Sequence, residues 1–259
     1  MTDATEPLRS SPPVPADDDP TRILRLKGKR YGEFMAQVLR VLGTQTYFEI
    51  GTRRGMSLAG ANCRAVAVDP AFLVETNVIG KKPVTMFFQM TSDRFFESYN
   101  LSHLLGGPAE VCFLDGLHVF EFLLRDFMNT EKHCKRNSLV FLHDCLPWSY
   151  MMTDRRQSAQ RGASIKRGWT GDVWKVVPIL QKYRPDLKIH ALDCPPTGLI
   201  MITGLDPANT VLDTKFFDIA EEFREAEDDI DKLKSFMAGL AIVSSHDIKD
   251  ISDLSKYTW

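Results

Sequence analysis

The chain has 259 residues, 44% of them hydrophobic and 25% charged, with a formal net charge of −2 at pH 7. That is enough apolar material for one substantial α/β domain, and the near-neutral balance gives no overall attraction to nucleic acid or to an anionic membrane surface. No apolar run approaches the roughly 20 residues of a membrane helix, and the first residues lack the basic and apolar regions of a signal peptide. The five cysteines (63, 112, 134, 145 and 194) are scattered, with no Cys-x-x-Cys pair, which reads as reduced thiols in a cytoplasmic protein.

Residues 1–20 are rich in Pro and Asp and hold too little apolar surface to offset the entropy of ordering, so a flexible tail is expected there. From Thr21 to Leu42, Tyr31, Phe34, Met35, Val38, Val41 and Leu42 recur at helical spacing and predict an amphipathic helix ahead of a first strand at 46–50. The stretch Tyr47-Phe-Glu-Ile-Gly-Thr-Arg-Arg-Gly-Met-Ser57 runs into Glu49, turns through Gly51 and Gly55, and opens a small-residue helix from Met56 to Ala61. A second apolar run, Ala65 to Asp69, ends in an acid 20 residues after Glu49. A third strand is expected at 84–88, a helix at 92–99, and a fourth strand at Val111–Asp115, again closed by an acid.

Phe120, Leu123, Leu124, Phe127 and Met128 mark one face of the next helix, and Ser138–Asp144 is a fifth acid-terminated strand. Residues 147–171 carry five basic side chains: Arg155, Arg156, Arg161, Lys166 and Arg167. They suggest either a mobile lid that attracts an anionic acceptor or a solvated loop. Asp172 is placed as N-cap of a helix over 173–183, followed by strands at 188–192 and 198–203. Apolar positions 216, 219, 223, 226, 230, 233, 237 and 240 predict one long amphipathic helix, packed on its own domain or serving as a homodimer contact. The last residues, 241–259, read as a C-terminal tail, leaving a single domain over 21–240. Continuous apolar strands alternating with amphipathic helices argue for an α/β fold whose parallel sheet is covered on both faces, with ligands at the carboxyl ends of the strands.

The glycine turn is not the dinucleotide fingerprint, and a carboxylate at Glu49 would repel a pyrophosphate while suiting a group that carries a sulfonium and an ammonium. Glu49-x-Gly51-x-x-x-Gly55 with Asp69 resembles motifs I and II of the class I S-adenosylmethionine-dependent methyltransferases. Phe113-Leu-Asp-Gly-Leu-His118, Asp126, Leu139-Val-Phe-Leu-His-Asp144, Trp169-Thr-Gly-Asp-Val-Trp-Lys175 and Pro196-Thr-Gly-Leu-Ile200 extend the likeness to an Asp-Gly-x-His branch similar to bacterial small-molecule or glycan O-methyltransferases. The resemblance covers roughly residues 45–205. It implies a Rossmann-like methyltransferase fold with a mostly parallel seven-stranded sheet, and S-adenosyl-L-methionine as cofactor. By the family pattern Glu49 would face the methionine portion, with the turn Gly51, Thr52, Arg53, Gly55 and Ser57 lining the cofactor. Asp69 would hold the ribose, Thr91, Ser92 or Asp93 would lie near the adenine, and Asp115 would sit beside the methionine moiety or the transferred methyl. Arg53 or Arg54 either reaches the cofactor carboxylate or is solvated.

Transfer to a hydroxyl needs a general base or a divalent metal. Asp115 and Asp144 end neighbouring strands about 4.8 Å apart, so their carboxylates can converge and hold Mg²⁺. Catechol-type O-methyltransferases resemble this layout but place Asn after the second Asp, where this chain has Cys145, a poor ligand for a hard cation. His118 is the candidate base, with turn capping as its alternative, and His143 is a partner, a ligand or a satisfied core histidine. Trp148, Trp169 and Trp174 offer a stacking wall or core packing. The expected activity is O-methylation of a small-molecule or sugar hydroxyl; the alternative is a catalytically silent cofactor-binding or interaction module on the same fold. A nicotinamide oxidoreductase is disfavoured by the glycine spacing and Glu49, and the acceptor itself is not legible.

Overall fold

The computed structural model of the protein describes residues 21–156, 168–225 and 229–258. Helix α1 (Tyr31–Leu42) precedes strands β1 (Thr46–Ile50), β2 (Arg64–Val68) and β3 (Thr85–Phe88), then helices α2 (Ser92–Ser98) and α3 (Leu101–Leu105). Strand β4 (Ala109–Leu114), helix α4 (Phe120–Glu131), strand β5 (Cys134–His143) and helix α5 (Val176–Tyr183) follow. The chain closes with β6 (Lys188–Leu192), β7 (Leu199–Thr203), α6 (Val211–Glu225), α7 (Ile230–Gly239), β8 (Ile242–Val243) and α8 (Ile251–Thr258).

The strands form one sheet in the order β3-β2-β1-β4-β5-β7-β6-β8. β1 lies between β2 and β4, parallel to both, so the order reverses there and opens the crevice in which doubly wound sheets bind ligands. The sheet is mixed and has eight strands rather than seven. β7 runs antiparallel between β5 and β6, and β8 pairs parallel to β6 at the edge.

Alternation along each strand sorts side chains to two cores. Phe48, Ile50, Val66, Cys112, Leu114, Val140 and Leu142 face one side with Phe120, Leu124 and Phe127 of α4. Tyr47, Ala65, Ala67, Val111, Phe113 and Phe141 face the other with Phe34, Met35, Val38 and Leu39 of α1. Each of those α1 side chains contributes about 1.5–3 kcal/mol by leaving water, which holds Tyr31 at the helix start over the strand tips.

Four expectations are corrected. The helix expected over Met56–Ala61 is only a short 3-10 turn at Leu58–Gly60. The glycine turn consumes most of residues 51–63, too few for a helical crossover between parallel strands. The long helix after Phe216 is described as two, α6 and α7, with Asp229 capping the second through bonds from the amides of Asp231 and Lys232. The tail expected at 241–259 instead supplies β8 and α8, with Ile248 and Leu254 buried in the α1-side core. Asp172 does not cap its own helix; its Oδ1 accepts from the Phe120 amide at 2.9 Å, at the start of α4. The expected tail at 1–20 and most of the basic 155–167 segment lie outside the described residues. Among the described residues no helix is long and apolar enough to cross a membrane, and all five cysteines are free and buried.

Candidate active site

Glu49 sits on β1 with its side chain on the α1 face, fully buried. Tyr47, two residues earlier on the same face, donates its hydroxyl to Glu49 Oε2 at 2.6 Å. Oε1 has no hydrogen-bond partner among the described residues, and neither has the buried Thr52 Oγ1. Burial pushes the Glu49 carboxyl up to about 7, while Tyr47, Ser57 and Thr52 pull it back. The Thr52 hydroxyl is thus close to the carboxylate without forming a well-aligned bond.

The glycine turn that follows is tightly held. Gly51 has φ +83°, and a Cβ there would lie 1.8 Å from the Asp115 carbonyl oxygen. Gly55, at φ +78°, packs beneath Val78 of the β2–β3 connection. Arg53 takes a left-handed φ of 41° and donates its amide to Asp69 Oδ2 at 2.8 Å, while the Ala71 amide reaches Oδ1 at 2.7 Å. The tips of β1 and β2 are therefore tied by Asp69 itself. The Arg53 side chain is exposed, and Arg54 pairs at 3.9 Å with Glu75. Ser57 is buried beside Glu49.

A second cluster occupies the ends of β4 and β5. His118 Nε2 lies 3.4 Å from Asp115 Oδ1 and 3.1 Å from Asp144 Oδ2. His143 Nδ1 lies 3.2 Å from Asp115 Oδ1 and 3.3 Å from Asp144 Oδ1. The two aspartates and two histidines thus alternate around one small space. His118 Nδ1 faces the Trp169 carbonyl oxygen at 2.8 Å; that oxygen can only accept, so Nδ1 carries the proton and Nε2 is turned to the carboxylates. The Trp169 ring lies 5.0 Å from the His118 ring. Asp144 adopts φ +61°, a conformation that short polar side chains tolerate better than most, and it accepts a short bond from Thr197 Oγ1. Asp115, His118 and Asp144 each present one donor atom, all within 4.8 Å of one another. Cys145 Sγ points away, toward the His143 and Val173 carbonyls.

The two groups meet over Tyr31. Its ring lies 4.3 Å from the His143 ring and stacks on Phe113 at 5.8 Å. Burial, with Asp115, Asp144 and Glu49 nearby, pushes its phenol above the ordinary range. The pattern in the sequence marks Tyr31 only as an apolar helix position, and it gives no signal for Thr197; only the fold brings either to the carboxylates. Asp126, named from the sequence only within the family resemblance, lies on α4. It falls in step with Leu123, Phe127 and Thr130 on the buried face of α4, where burial pushes its carboxyl up to about 7. The residues expected near an adenine have local partners. Thr91 caps α2, Ser92 is bonded to Asp126, and Asp93 forms a two-pronged pair with Arg125 at 3.0 and 2.6 Å. Of the three tryptophans, Trp169 alone stands at the cluster; Trp148 is buried and Trp174 packs on Phe236.

These charges give stability a definite pH dependence. Burial disfavours the charge on His118 and His143, but Asp144 and Asp115 outweigh it and push both up to about 9. Burial likewise works against the Asp115 carboxylate, yet the two histidines hold it well below the usual range. The histidine contribution is complete below their ordinary value of 6.5 and is lost as pH rises through about 9. The Asp115 share is present above its ordinary value of 3.8 and is lost on acidification. Glu49 and Asp126 act in the opposite sense to Asp115. Held near 7, they keep protons that the unfolded chain has released, so stability falls as pH rises from about 4 to 7, by about 3 kcal/mol for Glu49 alone. The thermal midpoint is expected to peak near pH 4 and to be several degrees lower at pH 9. Calorimetry in matched buffers checks this, and Glu49→Gln should flatten the limb between 4 and 7.

Residues 34–145 match the protein family described as a methyltransferase domain. Among solved structures the chain is similar to the O-methyltransferase of Bacillus cereus in complex with SAH, at 14% identity and a TM-score of 0.45, covering 68% of this chain and 80% of that one. It is also similar to a SAH-bound methyltransferase of Podospora anserina, at 12% identity and a TM-score of 0.46, covering 68% and 78%. A third is the O-methyltransferase TomG of Streptomyces achromogenes, involved in tomaymycin synthesis and bound to SAM, at 12% identity and a TM-score of 0.44, covering 66% and 78%. No curated protein matches the chain. That domain match runs from within α1 to just past the end of β5, so it takes in the point at β1 where the strand order reverses and the glycine turn behind Glu49.

Proposed function

We propose that the protein transfers a methyl group from S-adenosyl-L-methionine to a hydroxyl of a small molecule or glycan. The observation that carries the cofactor half of this reading is the unpartnered Glu49 Oε1, wholly buried behind the glycine turn beside an unpartnered Thr52 hydroxyl. A buried carboxylate oxygen without a donor is costly, and the cofactor's ammonium group is a donor of the right charge. Asp69, one strand over, would then serve the ribose.

The transfer half rests on the four-residue cluster. The cofactor supplies the electrophilic methyl, so the protein's work is to orient the acceptor and manage its proton. His118, fixed by the Trp169 carbonyl, is placed to take the acceptor's proton, and Asp115 and Asp144 stabilise the charge it then carries. His143, clamped under the Tyr31 ring, holds the two carboxylates in register from behind. The donor set also fits a divalent cation, which Asp115, His118 and Asp144 would hold; the imidazole nitrogen suits Mn²⁺ at least as well as Mg²⁺. Bound there, the cation would make an acceptor hydroxyl more acidic.

Binding of S-adenosylhomocysteine, measured by titration calorimetry, tests the cofactor reading. Micromolar affinity is expected, with release of a fraction of a proton below pH 7 as the ammonium displaces the proton of Glu49. That release appears as a dependence of the heat on the buffer's ionisation enthalpy, and Glu49→Gln should remove it. Absence of binding would overturn the proposal.

A further inference from the structure

Tyr31 opens α1 and stands where the two halves of the site meet. Glu49 and Phe113 are direct partners in the register of β1 and β4, so their side chains stand next to each other on the α1 face of the sheet. The Tyr31 ring stacks on Phe113 with centroids 5.8 Å apart and planes 7° from parallel, and it lies 4.3 Å from the His143 ring. Its amide bonds the Pro195 carbonyl at 3.3 Å. Ring and backbone are thus held on three sides. The residue is half-buried, and its hydroxyl bonds nothing among the described residues. A fixed phenol with a free hydroxyl, one side chain away from Glu49, is a pre-organised donor.

The amino-acid end of S-adenosyl-L-methionine carries an ammonium and a carboxylate on one carbon, so whatever holds one lies beside what holds the other. Glu49 Oε1 suits the ammonium and would repel the carboxylate. Asp115 and Asp144, the other acids close to the Tyr31 phenol, would repel it as well. Of the turn's two arginines, Arg53 is exposed and Arg54 faces Glu75 at 3.9 Å, and the Thr52 hydroxyl is turned to Glu49. Resting on the cofactor reading above, we propose that the Tyr31 hydroxyl donates to the carboxylate of the cofactor's amino-acid group while Glu49 takes its ammonium. A phenol suits this place better than a cation, because it adds no charge for Asp115 or Asp144 to capture and keeps its hydrogen at neutral pH. Holding both charged groups of one amino acid also fixes the chain that leads to the sulfonium, and with it the orientation of the transfer.

Titration calorimetry of the full chain with two ligands tests this. One is S-adenosylhomocysteine; the other is its decarboxylated analogue, S-adenosyl-3-thiopropylamine, which keeps the ammonium. Tyr31→Phe retains the stacked ring and is expected to weaken the first by about tenfold or more, since the lost hydrogen bond is to a charged group. Affinity for the analogue should stay within about twofold of the wild type, because the contact removed has no counterpart in that ligand. Equal losses for both ligands would give Tyr31 a merely structural role and overturn the proposal. So would S-adenosylhomocysteine binding as tightly to Tyr31→Phe as to the wild type, an outcome that leaves the cofactor reading standing. A wild type that binds neither ligand overturns the cofactor reading and this proposal together.

Discussion

Gly51→Ala is expected to lower stability by about 4 kcal/mol or more, enough to leave much of the protein unfolded at physiological temperature. Two costs add. An L-residue at φ +83° is in the left-handed region, worth about 1–2 kcal/mol. The new Cβ would also lie 1.8 Å from the Asp115 carbonyl oxygen and 2.4 Å from its carbonyl carbon, both backbone atoms at the end of β4. Relief requires β1 and β4 to part where the Asp115 amide bonds the Ile50 carbonyl at 2.9 Å. Denaturant titration of the variant checks this, and a loss below about 1 kcal/mol would mean that the turn is far softer than its contacts imply. Gly80, also at positive φ but with nothing near its missing Cβ, is the control: Gly80→Ala carries only the conformational cost.

Asp144→Asn should abolish most methyl transfer, by about 10²–10⁴-fold, while leaving the affinity for S-adenosylhomocysteine nearly unchanged. Asparagine tolerates the left-handed backbone at this position and can still accept from Thr197, so the change removes a charge rather than a fold element. The charge matters because Asp144 is the strongest influence raising both histidines. In the variant both imidazoles should titrate closer to 6.5 than to 9, which a nuclear magnetic resonance titration reads directly. Full turnover in Asp144→Asn would move the reaction away from this cluster. A chelator added to active wild type then separates the two ways the cluster can work. Lost turnover assigns the three donors to a cation, and unchanged turnover leaves the proton to the aspartate–histidine set.

Much of the scaffold was legible because buried parallel strands are continuous apolar runs. Thr46–Ile50, Arg64–Val68, Ala109–Leu114 and the later half of β5 stand out for that reason, and each ends beside an acid at the ligand-binding edge. Legibility failed where an element is too short to show a period. α3 has five residues, flagged only by Asn100 before it and Gly106 after it, and β8 has two. The signals for α3, an Asn cap and a left-handed glycine, were present in the chain and outweighed by its lack of length. The site divides in the same manner. Glu49, Asp69, Asp115 and Asp144 follow from strand ends, and His118 from its spacing to Asp115. Tyr31 and Thr197 reach the cluster across more than 80 and 50 residues respectively, a distance over which no local pattern operates. The basic 155–167 segment, expected as a lid or a solvated loop, falls on residues mostly outside those described.

The downward course of β7 has a further effect. Since β6 rises and β7 descends, the link between them, residues 193–198, lies at the same end of the sheet as the carboxylates of Asp115 and Asp144. From that short link Thr197 grips Asp144, the Pro195 carbonyl receives the Tyr31 amide at 3.3 Å, and the Asp193 carbonyl receives the Gly28 amide at 3.0 Å. A hairpin at the sheet's margin can change length or sequence without disturbing the wound strands on the other side of β5. One loop therefore grasps both an acid of the cluster and the start of the helix that carries the Tyr31 ring, apart from the strands that hold Glu49 and Asp69.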